Sequence, residues 1–339
     1  YETSGHWSKF ADELFKVTTR EGKEYALKPM NCPHHTQIFD RKPHSYREMP
    51  QRYANTTTVY RDEQSGELGG LTRVLSITQD DAHVFCRQGQ LKEEFFAIWD
   101  IIDTFYGAFG FTFETVRLSF HDPEHMEKYL GTEETWKNAE SILREMAGER
   151  NVPFVEAPGE ATLYGPKVDF IAKDSLGREH QVATIQLDMN LPERFDLTCV
   201  NEKGEKERIV MIHAAIMGSL ERFLAVLIEH LAGNFPLWLS PVQVMVIPVS
   251  ETQNEYAENI RAALSNAGIR AEADKGNDGL GKKVRSAKVE KIPYYLVVGA
   301  KEVESKTVTV EHRDKGKIGE QTVADFLALI QKEIGDKIM

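Results

Sequence analysis

At 339 residues the chain exceeds what one hydrophobic core usually serves, so two domains are expected. Hydrophobic residues make up 41% and charged residues 28%, and no run approaches the roughly 18 apolar residues that span a bilayer, which argues against a membrane role. The net charge of -12 argues at face value against a nucleic-acid partner, but residues 241–339 hold 15 basic and 15 acidic side chains, so the excess lies in the first 240 and charge alone does not exclude RNA.

The opening residues, Tyr1 to Lys9, lack the basic start and apolar stretch of a secretion signal. Cys32, Cys86 and Cys199 are odd in number and widely spaced, which fits a reducing compartment; a cytoplasmic protein is expected. In chain order, strands are predicted over Tyr53–Arg61 and Thr72–Thr78. The Arg61–Arg73 stretch between them, RDEQSGELGGLTR, reads as a solvated hairpin loop; Arg61 and Arg73, flanking it, also make it a candidate anion site. Leu91, Phe95, Ile98, Ile102, Phe105 and Phe109 recur at the spacing of one helical face over Leu91–Phe109. Gly107 and Gly110 stop that helix before an alternating run, Phe111–Phe120, that predicts a strand. Further strands are predicted over Val168–Ala172 and Gln181–Leu187, and a second helix over Ala214–Leu231 with His213 at its start. Strand runs followed by helices point to an antiparallel α+β domain.

The segment Phe235–Pro241, FPLWLSP, marks a change of rhythm, giving expected domains of 1–236 and 240–339. Beyond it come strand Val242–Ile247, helix Gln253–Leu264, strand Ile269–Ala273, a short helix over Lys282–Val289, strands Tyr294–Val298 and Thr307–Glu311, and helix Thr322–Ile334. That alternation predicts a smaller α/β domain with a mixed sheet.

Taken singly, the chemistry-bearing residues say little. Cys32 reads as a buried hydrophobe, His83 in Thr78–His83 as a hydrogen-bonded core residue, and His213 as a helix-end polar group. None lies in a local zinc spacing.

Together, KPMNCPHH at Lys28–His35, YRDE at Tyr60–Glu63, TQDDAH at Thr78–His83, YGPK at Tyr164–Lys167 and HAAIMGSLERF at His213–Phe223 resemble the catalytic core of threonyl-tRNA synthetases. The resemblance covers essentially the whole chain. It implies a class II antiparallel sheet flanked by helices, followed by an anticodon-binding domain, in an enzyme that joins threonine to tRNA(Thr) with ATP and Mg²⁺. Cys32, His83 and His213 match the family's ligands for one Zn²⁺ per chain, which would leave the metal open to the amino and hydroxyl groups of threonine. Met30, Gln79, Asp81, Tyr164 and Gln186 match positions that line the amino-acid pocket. Arg61 matches the motif 2 arginine on the α-phosphate, with Glu63 reading the adenine amino group and Arg73 alongside. Arg222 matches the motif 3 arginine at the γ-phosphate, Lys167 a further α-phosphate contact, and Ile77, Gln181 and Thr184 the rest of the ATP site. Asn277, Arg285 and Glu302 match anticodon contacts.

The match is not uniform. Ile77 stands where many relatives place an aromatic ring under adenine, His34 where glycine is frequent, and Glu311 where some relatives present a basic residue. On this resemblance the sequence opens at Tyr1 just beyond motif 1, which builds the homodimer interface, and lacks the N-terminal editing domain, as a fragment would. Sister prolyl or seryl enzymes would not be expected to carry Cys32, His83 and His213 together. An RNA-binding paralogue with a decayed core would not need Arg61, Glu63 and Arg222.

Overall fold

The structure, a computed structural model, describes residues 1–113 and 115–338. It divides into two compact units, Tyr1–His230 and Leu231–Met339. The border lies a few residues before the Pro236–Pro241 stretch: Leu237 sits in the core of the second unit, and Arg313 of that unit donates to Phe235 O.

The first unit is built on a seven-stranded sheet. Its strands are β1 (Gln51–Tyr60), β2 (Ser76–Cys86), β3 (Val116–Phe120), β4 (Phe154–Pro158), β5 (Lys167–Lys173), β6 (Glu179–Asp188) and β7 (Val210–Ala215), in the order β1-β2-β7-β6-β5-β3-β4. All neighbours are antiparallel except the pair β3 and β4. The last strand in sequence, β7, is an interior one, between β2 and β6. Its residues, VMIHAA, are buried throughout, as expected of a strand covered on both faces.

Helix α1 (Cys32–Asp40), helix α2 (Leu91–Gly107), helix α3 (Glu133–Glu149) and helix α4 (Leu220–His230) flank the sheet. In α2 the predicted face is widened by Trp99 and Tyr106, both fully buried, because a helix on a broad sheet needs more than a narrow apolar stripe. Thr132 caps α3 by accepting from Thr135 N.

Three expectations are corrected here. The strand predicted over Phe111–Phe120 narrows to Val116–Phe120, Glu114 lying outside the described residues. The strand predicted from Thr72 begins at Ser76, since Thr72 closes a turn onto Gly69 and gives its carbonyl to Arg222. The helix predicted over Ala214–Leu231 begins at Leu220, and His213 lies in β7 rather than at a helix start. A turn through Gly218, at φ 71, separates strand from helix, and the 3–4 spacing of Ile216, Leu220 and Phe223 ran across that break.

The second unit has a five-stranded mixed sheet: β8 (Val244–Pro248), β9 (Ala271–Ala273), β10 (Tyr294–Val298), β11 (Thr307–His312) and β12 (Gly316–Thr322), ordered β9-β8-β10-β11-β12. β8 runs parallel to β9 and β10, and the pairs β10–β11 and β11–β12 are antiparallel. Its helices are α5 (Asn254–Asn266), α6 (Leu280–Val289), α7 (Ala300–Ser305) and α8 (Val323–Gly335). Val244, Val246, Tyr294, Leu296, Val308 and Val310 meet α5 and α8 in one core, and Ile247 and Tyr295 meet α6 in another. The α/β alternation expected of residues 240–339 is what forms. No helix among the described residues is long and apolar enough to cross a membrane.

Candidate functional site

Strand register assembles the site. Residues directly opposite one another across antiparallel strands share a sheet face. Tyr53, His83, His213, Gln186, Lys167 and Ser119 form one such row from β1 to β3. One step away, Asn55 pairs with Asp81, and Ala215, Thr184 and Asp169 continue the line. Residues far apart in sequence thereby present their side chains to one surface. A β-bulge adds another. Pairing of β5 with β6 jumps from Phe170↔Ala183 to Ile171↔Gln181, which leaves Val182 unmatched and turns Gln181 toward the same face as Thr184 and Gln186.

Over this face opens a cavity of about 540 Å³, lined by Met30, Cys32, Arg61, Gln79, Asp81, His83, Tyr164, Lys167, Gln181, Gln186, His213 and Arg222, among others. A recess of about 180 Å³ adjoins it, sharing Arg61, Gln79 and Arg222 and adding Ile77 and Thr184. The sequence-predicted residues of the first unit therefore converge, with two exceptions. Glu63 and Arg73 do not line either space; they pair with each other, Arg73 donating from Nε (2.9 Å) and Nη2 (2.5 Å) to Glu63 Oε2. Ile77 offers an apolar surface and no ring.

At one end lie Cys32, His83 and His213, all buried, with one ligand atom from each within 4.8 Å of the others. His83 Nε2 faces His213 Nδ1 at 3.0 Å. The opposite ring nitrogens are engaged, His213 Nε2 by Asp188 Oδ2 at 2.8 Å and His83 Nδ1 by His35 Nδ1 at 2.7 Å. Asp188 is itself fixed by the N–H groups of Asn190 and Leu191. With Nε2–H of His213 donated to Asp188, its Nδ1 is a lone pair; the facing His83 Nε2 either donates to it or, in the tautomer that donates Nδ1–H to His35, presents a second lone pair, the form in which the pair could share a cation. Burial first, then Asp81 and Asp188, pushes the Cys32 thiol well up, so without a cation it stays protonated. Burial, His213 and His35 hold His83 well below the usual imidazole range, in the neutral form that ligates. One thiolate and two imidazoles with outer-shell partners suit Zn²⁺.

Asp81 lies beside this cluster, oriented by Asn31 Nδ2 at 2.9 Å, and burial raises its carboxyl. Tyr164 stacks on His213 with ring centroids 4.3 Å apart and donates its hydroxyl to Gln186 Oε1 at 2.5 Å.

The other end is cationic. Arg222 donates to Thr72 O and Gln181 O, and burial, then the like charges of Arg61 and Arg73, lowers its pKa. Arg61 sits over the Phe10 ring. Lys167 is held by Asp169 at 2.6 Å, which also accepts from Ser119 and Gln181. Three buried polar atoms at this face, Arg61 Nε, Gln79 Oε1 and Thr184 Oγ1, have no hydrogen-bond partner among the described residues. Buried polar atoms are rarely left so unless something else satisfies them.

Two turns hold the face in place. Asp80 accepts from Ile216 N and Met217 N, and Glu221 accepts Thr78 N, which tie β2 to the turn leading into α4. A Cβ on Gly218 would stand 2.7 Å from Val182 O, and one on Gly165 would stand 1.6 Å from Leu187 O, so both positions need glycine.

Sequence reasoning missed His6, Asn31, His35, Asp169 and Asp188. His6 lines the cavity, its Nδ1 2.7 Å from Ser4 Oγ and its Nε2 4.0 Å from Cys32 Sγ, and burial, then His213, pushes it down to about 3. No local spacing marks a lone histidine. Asp169 and Asp188 could have been found by alternation along β5 and β6.

In the second unit Asn277 and Arg285 are exposed, before and on α6. Glu302 is engaged, accepting from Gly299 N with Oε2 and from Thr309 Oγ1 with Oε1. No direct contact joins the three among the described residues.

A family profile described as the tRNA synthetase class II core domain (G, H, P, S and T) matches residues 15–231, and one described as an anticodon binding domain matches residues 243–333. A threonine–tRNA ligase of Porphyromonas gingivalis is 50% identical over 340 residues, covering 100% of this chain and 52% of the relative. One from Deinococcus deserti is 51% identical over 92% of this chain and 48% of its own length. The chain thus spans about half the length of the curated relatives it matches. Among solved structures, the RNA binding domain of threonyl-tRNA synthetase from Cryptosporidium parvum superposes with a TM-score of 0.90 at 39% identity, over 98% of this chain and 82% of the other. A prolyl-tRNA synthetase from the same organism, at 18% identity and a TM-score of 0.68, shares the fold.

Proposed function

Because this chain belongs to the class II aminoacyl-tRNA synthetases, within the threonyl-tRNA synthetase family, we propose that it activates threonine with ATP and passes the acyl group to tRNA(Thr). The observation that supports this most directly is the division of one cavity. Cys32, His83, His213 and Asp81 occupy one end and Arg61 and Arg222 the other. That spacing suits a small hydroxylated amino acid facing the phosphates of a nucleotide.

In this reading the threonine carboxylate attacks the α-phosphorus in line and pyrophosphate leaves. Arg61 and Lys167 offset the charge that grows on the phosphate oxygens, with Mg²⁺ accompanying ATP. Arg222 holds the γ-phosphate end. Both hydrogen bonds from Arg73 to Glu63 go to Oε2, which leaves Oε1 to accept from the adenine amino group. Ile77 gives adenine an apolar surface, and Gln181 and Thr184 support the ribose side. Cys32, His83 and His213 would hold Zn²⁺, which supplies coordination for the amino and hydroxyl groups of threonine and so selects the substrate. Asp81 accepts a hydrogen bond from the substrate hydroxyl, while Met30, Gln79, Tyr164 and Gln186 shape the pocket. Asn277, Arg285 and Glu302 would meet the anticodon. The setting is the cytoplasm and the full-length protein a homodimer.

ATP–pyrophosphate exchange, run with each amino acid in turn, tests this. Threonine should support exchange. Valine, isosteric but without a hydroxyl, would leave Asp81 unpartnered and should be rejected by about 10⁴ to 10⁵. Serine keeps the hydroxyl and should be discriminated by only about 10 to 200-fold. Exchange with valine as fast as with threonine removes the reading; no exchange with any amino acid favours an RNA-binding role.

A further inference from the structure

The second unit contains a cavity of about 340 Å³ that the proposed reaction does not use. It lies on the face of the sheet opposite Glu302. Along β11 the side chains of Val308, Val310 and His312 are buried on one side, whereas Thr309 bonds Glu302 on the other.

Its polar walls are held in place. His312 is 6% exposed, and its Nδ1 accepts from Asp314 N (3.0 Å) and Lys315 N (3.1 Å). A ring nitrogen that accepts twice carries no proton, so the hydrogen sits on Nε2, and among the described residues that donor has no partner. Arg313 is fixed by donation from Nη1 to Phe235 O (2.9 Å) and Lys291 O (2.8 Å), and from Nε to Asp314 (3.1 Å). Among the described residues its Nη2 makes no hydrogen bond. Glu333, which also lines the cavity, accepts the Tyr294 hydroxyl on Oε2 at 2.7 Å, which leaves Oε1 open, in the last turn of α8. Carbonyls at a helix C-terminus add to a negative field. The floor is apolar, from Leu237, Pro293 and Ile338.

Arg313 and Glu333 line the same space, yet no ion pair joins them among the described residues. A packing defect between opposite charges would be expected to close on such a pair. A singly charged guest would satisfy one wall and strand the other. We propose that this cavity binds a zwitterionic α-amino acid with an apolar side chain. Its carboxylate takes His312 Nε2–H, Arg313 Nη2 and the Lys315 ammonium, its ammonium takes Glu333, and its side chain lies on the floor. The volume is at the lower end of small-molecule pockets, which run about 300 to 1,000 Å³, and suits a leucine-sized guest. The site stands apart from the proposed reaction.

Calorimetric titration of the whole chain with L-leucine, with 4-methylpentanoate (the acid without the amine) and with 3-methylbutylamine (the amine without the acid) tests it. Leucine should bind at one site and each analogue at least about tenfold more weakly. Glu333→Gln keeps an oxygen for the Tyr294 hydroxyl and should weaken leucine by about tenfold or more, while Asp81→Asn in the first unit should leave that binding unchanged. In ¹⁵N spectra the His312 Nε2 resonance should move on titration. No binding of leucine, equal binding of 4-methylpentanoate, or loss with Asp81→Asn in place of Glu333→Gln overturns the proposal.

Discussion

Asp188 touches no predicted substrate, yet it carries the outermost bond of the candidate metal cluster, to His213 Nε2. An amide at that position can still accept from Nε2–H but no longer supplies charge. Asp188→Asn is expected to weaken zinc affinity by about 10 to 100-fold, read by competition with a chromophoric chelator. Unchanged affinity would mean that the carboxylate positions nothing. Cys86, in contrast, belongs to packing. Burial pushes its thiol up to about 12, with Glu94 adding in the same direction. An unfolded thiol titrates near 8.5, so between these values the unfolded chain releases a proton that the folded chain keeps. The stability this thiol contributes is complete below about pH 8.5 and is lost as pH rises toward 12, by up to about 1.4 kcal/mol per pH unit. The urea midpoint should therefore fall less between pH 8 and pH 10 in Cys86→Val than in the parent chain.

At the scale of elements, periodicity made α2 and most strands legible, because half-buried strands and one-faced helices write their burial into the spacing of apolar residues. It failed where the chain turns sharply. β7 and α4 merged into one predicted helix, since Ile216, Leu220 and Phe223 fit helical spacing and the break at Gly218 is a matter of one dihedral angle. The bulge at Val182 was equally invisible, although it decides which face Gln181 joins. Resemblance named Cys32, His83 and His213 together; spacing alone could not, because the register between β2 and β7 is a long-range property. His6 carried no signal of either kind, and Asp188 only its place in the alternation Thr184, Gln186, Asp188. The Gly218 turn gives a direct test. Gly218→Ala sets a methyl 2.7 Å from Val182 O, while Gly177→Ala, at a comparable φ of 77, meets nothing within 4 Å. Overpacking of this sort costs about 1 to 3 kcal/mol. The first variant should lower the urea midpoint by clearly more than the second, and equal losses would assign the effect to the backbone angle alone.

At the scale of the molecule, each unit owns a separate hydrophobic core, the second one closed by Phe326 and Ile330 of α8 against β10 and β11. Residues 231–339 expressed alone should fold, with a cooperative thermal transition and dispersed amide resonances; a molten spectrum would show that the second core depends on the first unit. The first unit has a different dependence, set by strand order. An interior strand, β7, is the last of the sheet to be made, yet it must enter between β2 and β6. While the chain emerges from a ribosome, the sheet therefore exists as two unjoined pieces, β1-β2 and β6-β5-β3-β4, each with a bare edge that invites foreign strands. His213 arrives on that closing strand, so neither the candidate metal cluster nor the cavity can form before the gap is filled. A nascent chain stalled short of residue 215 would be sticky and inert together, and its quality could be judged by whether it had captured an ion.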